Sequence, residues 1–295
     1  MKKRAWLSIL MGMTISFGTL LPAGAEDKLN WVDSGTKVEM ENKFLFTVPQ
    51  EMVYLNKEDT IKMERQVGEI PTQKEIGSVM PKDEAEEWLL YMEYDESGHI
   101  SDDEQNDIDA DELLQSYKDG TEEANEQRKP EDRFHVVGWN VKPVYDATTH
   151  ELEYSMLLET AQKEKFLNYK LQVLTRTGYV SFILVTDQEH LEKDKQTLRT
   201  NILKNFTVKE GHRYTDFDAK TDKVAEYGLT GLILGGLGLA AAKKLGLLAL
   251  ILAFAKKGWV LIIVLIGAIA KFGKKLFGKK QPAINQEADE EKPSA

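Results

Sequence analysis

The sequence predicts an α+β body, mostly antiparallel sheet with covering helices, exported and followed by a C-terminal hydrophobic transmembrane helical region. Three observations predict it. Residues 134–186 hold successive strand-like runs joined by short turns, and residues 191–202 carry a helical apolar stripe suited to covering a sheet. The 295-residue chain is also polar and acidic up to residue 226, then apolar and basic.

Taken in order, Lys2, Lys3 and Arg4 precede an apolar run from Ala5 to Leu21, and Ala23 and Ala25 supply small residues for cleavage after Ala25. Residues 1–25 read as a signal peptide, with a retained N-terminal anchor as the alternative. In both cases the body begins outside the cytoplasm. Residues 26–226 read as an acidic extracytoplasmic domain. Phe44–Val48 alternates as a strand does and stops at Pro49. Residues 61–81 are less regular, with Pro71 and Gly77 as punctuation. Trp88–Tyr94 is an apolar run of strand length.

Asp102–Glu112 is the most charged stretch of the body. Asp109 is placed to cap a helix, with Glu112 completing a capping box and Leu113, Leu114 and Tyr117 on the buried face. Asp107-x-Asp109-x-Asp111 also offers alternating oxygen ligands for calcium. It lacks the glycine and the distal glutamate of an EF-hand, so a helix start is favoured.

Phe134–Lys142 then reads as a strand, with Pro143 and Asp146–Thr149 making a turn. Along Glu151–Leu158, Leu152, Tyr154, Met156 and Leu158 face inward, and Glu151, Glu153 and Ser155 outward. Residues 168–175 and 179–186 flank Arg176-Thr177-Gly178 as a hairpin, and Tyr179–Val185, apolar on both faces, is a central strand. Thr186 and Glu189 offer a second capping box before the stripe of Leu191, Leu198 and Ile202.

Residues 227–276 read as a membrane anchor and 277–295 as a polar disordered tail. Three apolar blocks are separated by Lys243-Lys244 and Lys256-Lys257, and lysines follow at 271, 274, 275, 279 and 280. No block alone reaches the roughly 20 residues that cross a bilayer core. Joining blocks buries a lysine pair at about 2.5–3.5 kcal/mol per lysine before snorkelling. One crossing centred on Gly258–Ala270, with a cytoplasmic C-terminus, is favoured over a two-crossing hairpin.

Charge and composition narrow the function. The whole chain carries −11; taking out +3 for residues 1–25 and +6 for residues 227–295 leaves −20 on the body. A body that acidic is repelled by phosphate backbones, which argues against a nucleic-acid partner. The absence of cysteine excludes disulfides, thiolate metal sites and cysteine nucleophiles. The five histidines stand singly and read as surface or turn residues, with no metal-binding pair spacing. No nucleophile elbow, phosphate loop or dinucleotide fingerprint occurs, so no catalytic residue, metal or cofactor is expected.

Several stretches together resemble a known family: Gly138-Trp139, Pro143-x-Tyr145-Asp146 through Thr149-His150-x-Leu152, Asn168-Tyr169 and Arg176-x-Gly178. Further on come Gly211-x-Arg213-Tyr214-x-Asp216-Phe217 and Asp222-Lys223 leading to Tyr227-Gly228. Upstream, Trp88, Glu93-Tyr94, Gly98, Asp107–Leu114 and Thr121–Asn125 fit the same pattern. Over roughly residues 30–275 the chain resembles an uncharacterised family of prokaryotic membrane-anchored proteins sharing a domain of unknown function. The resemblance implies a signal peptide, an exported domain and a C-terminal anchor, and no activity or cofactor.

Among these residues, Trp139, Tyr145, Asp146, His150, Arg213, Tyr214 and Asp216 combine aromatic, acidic and basic groups as ligand- or partner-binding sites do. Tight turns and packing of the domain against its anchor use the same residue types. The leading functional expectation is a non-enzymatic module at the outer face of the cytoplasmic membrane, touching the lipid bilayer and binding an envelope or membrane protein. The alternatives are a cell-surface enzyme using Asp146 or Asp216 with His150, which requires those side chains to converge, and a membrane-active oligomer of the apolar blocks.

Overall fold

The structure, a computed structural model, describes residues 28–66, 71–83, 85–126, 128, 130 and 133–235. The segments read as signal peptide, most of the anchor and the tail lie outside the described residues. Among the described residues no helix is long and apolar enough to cross a membrane. The strands are β1 (Lys37–Met40), β2 (Phe44–Thr47), β3 (Met52–Asn56), β4 (Glu75–Pro81), β5 (Leu89–Asp95), β6 (Phe134–Asp146), β7 (Glu151–Thr160), β8 (Lys165–Thr175), β9 (Gly178–Val185) and β10 (Phe206–Val208). The α-helices are α1 (Lys57–Gln66), α2 (Ala110–Asn125), α3 (Leu191–Thr197) and α4 (Leu229–Ile233).

The body is α+β and its strand pairs are antiparallel. Seven strands form a large sheet in the order β3-β4-β5-β9-β8-β7-β6, and β1-β2-β10 form a small one. The large sheet is two meanders joined where β5 pairs with β9, from Leu89 opposite Val185 to Asp95 opposite Tyr179. Both of its faces are covered, which is why β9 reads as apolar throughout. One face packs Leu55, Tyr91, Leu152 and Tyr154 against Met63 of α1, Leu113 and Tyr117 of α2, and Leu229, Leu232 and Ile233 of α4. The opposite face packs Leu90, Met92, Leu171 and Phe182 against Phe44 and Phe46 of the small sheet and Leu191, Leu198 and Ile202 after β9.

The predicted stripe is therefore buried, although the chain winds from α3 into a π-turn at Leu198–Ile202. Asp109 caps α2 as expected, accepting the N–H groups of Asp111 and Glu112 at 3.0 Å. The hairpin turn at Arg176-Thr177 joins Thr175 to Gly178. A side chain at Gly178 would place its Cβ 1.8 Å from the Asp95 carbonyl oxygen, so this close approach of the start of β9 to the end of β5 requires glycine.

Four local expectations are corrected. Residues 61–81 hold most of α1 and all of β4, whose pattern is obscured by buried polar residues, among them Thr60 and Ser78 sharing a hydrogen bond at 3.0 Å. Pro143 lies within β6, which runs on to Asp146 as the outer edge of the large sheet. An edge strand tolerates the missing N–H, and the proline and three register shifts protect that edge from further pairing. Ser155 is fully buried because the sheet face opposite the helices is covered too. No capping box forms at Thr186; Asp187 accepts the N–H groups of Glu189 and His190 instead, and Thr186 donates to the buried Asp194.

Candidate functional site

The end of β5, the β6–β7 turn and the β8–β9 turn lie at one end of the large sheet. Residues 209–228 cross this end as a strap. The strap is fixed by backbone pairing: Arg176 N–H donates to the His212 carbonyl at 2.9 Å, His99 N–H to Lys223 at 2.8 Å, and Ala225 N–H to His99 at 2.8 Å. Gly98 lies under it, where a Cβ would come within 2.9 Å of Lys223 O and Ala225 N. Arg176 grips the strap from the turn. Its Nε and Nη2 donate to the two oxygens of Asp222 at 2.7 and 2.9 Å, and its Nη1 donates to the Gly211 carbonyl at 3.1 Å. The guanidinium, and then the Asp218 N–H, hold the Asp222 carboxyl well below the usual carboxylate range.

Within the strap, Asp216 Oδ2 accepts the N–H groups of Gly211 and Arg213, both at 2.9 Å. That turn aims Tyr214 back at the sheet, where its hydroxyl donates to the Ile100 carbonyl at 2.8 Å. Four rings then follow in series: Phe217 stacks on His99 at 3.8 Å, His99 stacks on Tyr214 at 4.4 Å, and Tyr214 leans at a tilt against His150 at 4.2 Å. Burial lowers the His99 imidazole below its ordinary value, opposed by a hydrogen bond to the Arg176 backbone. His99 Nδ1 is buried with no hydrogen-bond partner.

His150 sits at the β6–β7 turn with φ of 55°, a left-handed conformation that sets its ring beside Tyr145. Tyr145 Oη donates to Asp102 Oδ2 at 2.8 Å and lies 3.0 Å from His150 Nδ1. A phenol has one proton, so with that proton on Asp102 the imidazole is the donor in the second bond. Burial, and then the bond to Asp102, push the Tyr145 phenol far above its ordinary range, so it stays protonated. The result is a fixed chain from imidazole to phenol to carboxylate.

Of the seven residues singled out from the sequence, the structure brings together Tyr145, His150 and Tyr214. Trp139 lies elsewhere: its Nε1 donates to the Ala110 carbonyl at 2.7 Å, and its ring meets Tyr117 and Tyr154 edge-on, tying β6 to the first turn of α2. Asp146 is exposed and accepts the Thr148 N–H at 2.7 Å, closing the β6–β7 turn. Asp216 is occupied by its own turn, and Arg213 pairs through its backbone with Thr175 while its side chain is exposed. Among the described residues Asp146 and Asp216 thus bond backbone N–H groups of their own turns, and the carboxylate that faces His150 is Asp102.

His99, Asp102, Arg176, Phe217 and Asp222 were missed as members of this site. Arg176, Phe217 and Asp222 stood in the motifs, and Gly98 beside His99 marked a close backbone approach. Nothing local distinguished Asp102 among its acidic neighbours.

A shallow cleft of about 480 Å³ is lined by residues 106–111 and Lys142. It contains the acidic alternation considered for calcium. Asp109 is used in the helix cap and Asp111 accepts Lys142 Nζ at 3.0 Å. Among the described residues no group of three or more acidic or histidine side chains is arranged to hold a metal ion.

The family model described as "Protein of unknown function (DUF2167)" matches residues 33–267, most of the chain. The chain belongs to that family. The match takes in the strap, the stacked rings and the Arg176–Asp222 pair together. No curated protein matches the chain. Among solved structures, the chain is similar to cyanobacterial PsbP (CyanoP) from Synechocystis sp. PCC 6803, in a solution structure. That likeness has 12% identity and a TM-score of 0.34, over 65% of this chain and 99% of the other, which is too weak to carry fold or function across.

Proposed function

We propose that the protein is a non-enzymatic interaction module tethered at the outer face of the cytoplasmic membrane, and that the stacked site is the clasp joining body to tether. The observation that carries this reading is the path of the strap. It leaves the small sheet after β10, is pinned across the sheet end, and delivers Leu229, Leu232 and Ile233 into the core beneath α2. Glu104 Oε1 accepts the Thr230 N–H at 2.8 Å, and Tyr117 donates its hydroxyl to the Ile233 carbonyl. The apolar, lysine-punctuated segment therefore starts from inside the folded body, with no free linker before it. A clasp of this kind transmits the orientation of a tether to the surface that a partner would contact. The −20 charge of the body supports a partner with a basic face, an envelope or membrane protein beside the bilayer.

The polar groups of the site support a holding role over a reacting one. Asp216, Asp222, Tyr145 and Tyr214 are each engaged by a fixed partner within the body. The absence of cysteine makes the test direct. Single cysteines at the exposed Gln188 and at Ser294 are treated on intact cells with a membrane-impermeant thiol reagent. Labelling at position 188 and protection at 294 is the expected result. Protection at 188, reversed on lysis, would place the body inside and end the proposal. Crosslinking from position 188 should then recover the same membrane-associated protein repeatedly, and an Arg176→Ala variant should recover less of it.

A further inference from the structure

A second polar cluster lies away from the clasp, on the helix-covered face of the large sheet. Glu75 of β4 stands directly opposite Glu93 of β5. The two carboxyls are bridged by one hydroxyl: Thr72 Oγ1 is 2.8 Å from Glu75 Oε1 and 2.9 Å from Glu93 Oε1. The same oxygen receives the Lys74 N–H at 3.2 Å, and Glu75 Oε1 also receives the Thr72 N–H. Glu75 is fully buried, and its Oε2 has no hydrogen-bond partner.

A hydroxyl has one proton to donate and two lone pairs to accept with. Three neighbours surround Thr72 Oγ1, and the Lys74 N–H takes one lone pair. The hydroxyl proton satisfies one carboxylate. The remaining contact is a hydrogen bond only if the other carboxyl brings its own proton. Glu75 Oε1 is marked as an acceptor by the Thr72 N–H, which leaves Glu93 as the donor. With Glu93 ionised, two like charges would face each other across a buried strand pair with one proton between them, an arrangement that destabilises sheets.

We propose that Glu75, Thr72 and Glu93 form a proton-binding site, in which Glu93 carries the proton and its release loosens the hold of residues 72–74 on β5. The charged groups around it set the balance. Lys74 stands in the lead-in to β4, where it is bonded to Asp95, and Lys170 faces Glu93 from β8. Tyr179 of β9 senses Glu93, and Glu64 is buried on α1, which packs against β3 and β4. Burial raises the Glu93 carboxyl above its ordinary value against the pull of Lys170. The site is a feature of the folded body and does not depend on the tethering proposed above.

The experiment is infrared difference spectroscopy on the full-length protein, following the carbonyl stretch of protonated carboxylic acids against pH. Wild type should retain such a band above about pH 5, where an ordinary glutamic acid is mostly ionised, and Glu93→Gln should lose it. A wild-type spectrum without the band above that pH, or a band unchanged in Glu93→Gln, overturns the proposal. Thermal melting gives an independent readout. Glutamine reproduces the donor geometry of a protonated Glu93, so the melting-temperature advantage of Glu93→Gln should widen as the pH rises from about 5 to about 8. A constant difference across that range would equally overturn it. Thr72→Val should shift the wild-type band by removing its hydrogen-bond acceptor; an unshifted band would remove Thr72 from the site.

Discussion

Two polar clusters flank the C-terminal end of β5 and treat the same chemical group in opposite ways. In the clasp, Asp222 meets a guanidinium and the Asp218 N–H, donors that reward the ionised carboxylate. Two residues before the end of β5, Glu93 meets another carboxyl across the strand pair, with one hydroxyl between them. The clasp therefore holds negative charge and the carboxyl pair holds a proton. The difference lies in partners more than in depth, since partly buried acids occur in both places. An acid beside fixed donors acts as a rivet, and an acid beside another acid acts as a titratable hinge.

The largest expected effect breaks the geometry beneath the clasp. Gly178→Ala drives a Cβ against the Asp95 carbonyl oxygen, a backbone atom that cannot rotate away. We expect about 3 kcal/mol or more of destabilisation, measured by urea unfolding. An unchanged midpoint would mean that the close approach of β9 to the end of β5 relaxes freely. Next is Tyr214→Ala, which removes the middle of the ring stack and the bond to the Ile100 carbonyl. A loss of about 2–3 kcal/mol is expected for this half-buried aromatic, with faster hydrogen exchange in residues 209–228 than in β7 or β8. Equal acceleration in both regions would mean that the strap is not a separate unit.

Dependence on pH sharpens the comparison, because the two clusters carry opposite signs. Asp222 is lowered by folding, so its contribution is present above the unfolded value of about 3.9 and lost as pH falls through the folded one. Glu93 is raised, so its contribution is fully present below the unfolded value of about 4.3 and lost as pH rises through the folded one. His99 is lowered, so its contribution is present above about 6.5 and lost as pH falls below that. Melting curves of Asp222→Asn should therefore lose part of the acid-side drop, and those of His99→Phe part of the drop just below pH 6.5. The opposite signs would refute the assigned environments. The smallest effect is Asp109→Ala, about 1 kcal/mol for a lost helix cap, with the clasp's exchange rates unaltered.

Much of this was legible from local pattern. Period-two alternation marked β7, a short turn bounded β8 and β9, an apolar run marked β5, and an Asp before an apolar helix face marked the start of α2. The sequence motifs also contained Tyr145, His150 and Tyr214, the three residues that do converge. They equally contained Trp139, Asp146, Arg213 and Asp216, which do not, because a motif records residues that must be present without recording what each one touches. The helix α1 and strand β4 were hidden because their buried faces carry Thr60, Glu64, Glu75 and Ser78, so the hydrophobic period that announces an element was absent.

By itself the sequence determined the class of fold, the acidic body, the basic apolar end and the absence of thiol chemistry, since these follow from composition and from the periods of helix and strand. Only the tertiary structure decided that residues 209–228 return across the sheet, that His99 and His150 share Tyr214, and that Glu75 stands opposite Glu93. Those are encounters between residues as far as 126 positions apart, as Ala225 is from His99. They depend on strand order and register, and so on which long-range pairing of strands buries both faces of one sheet at once.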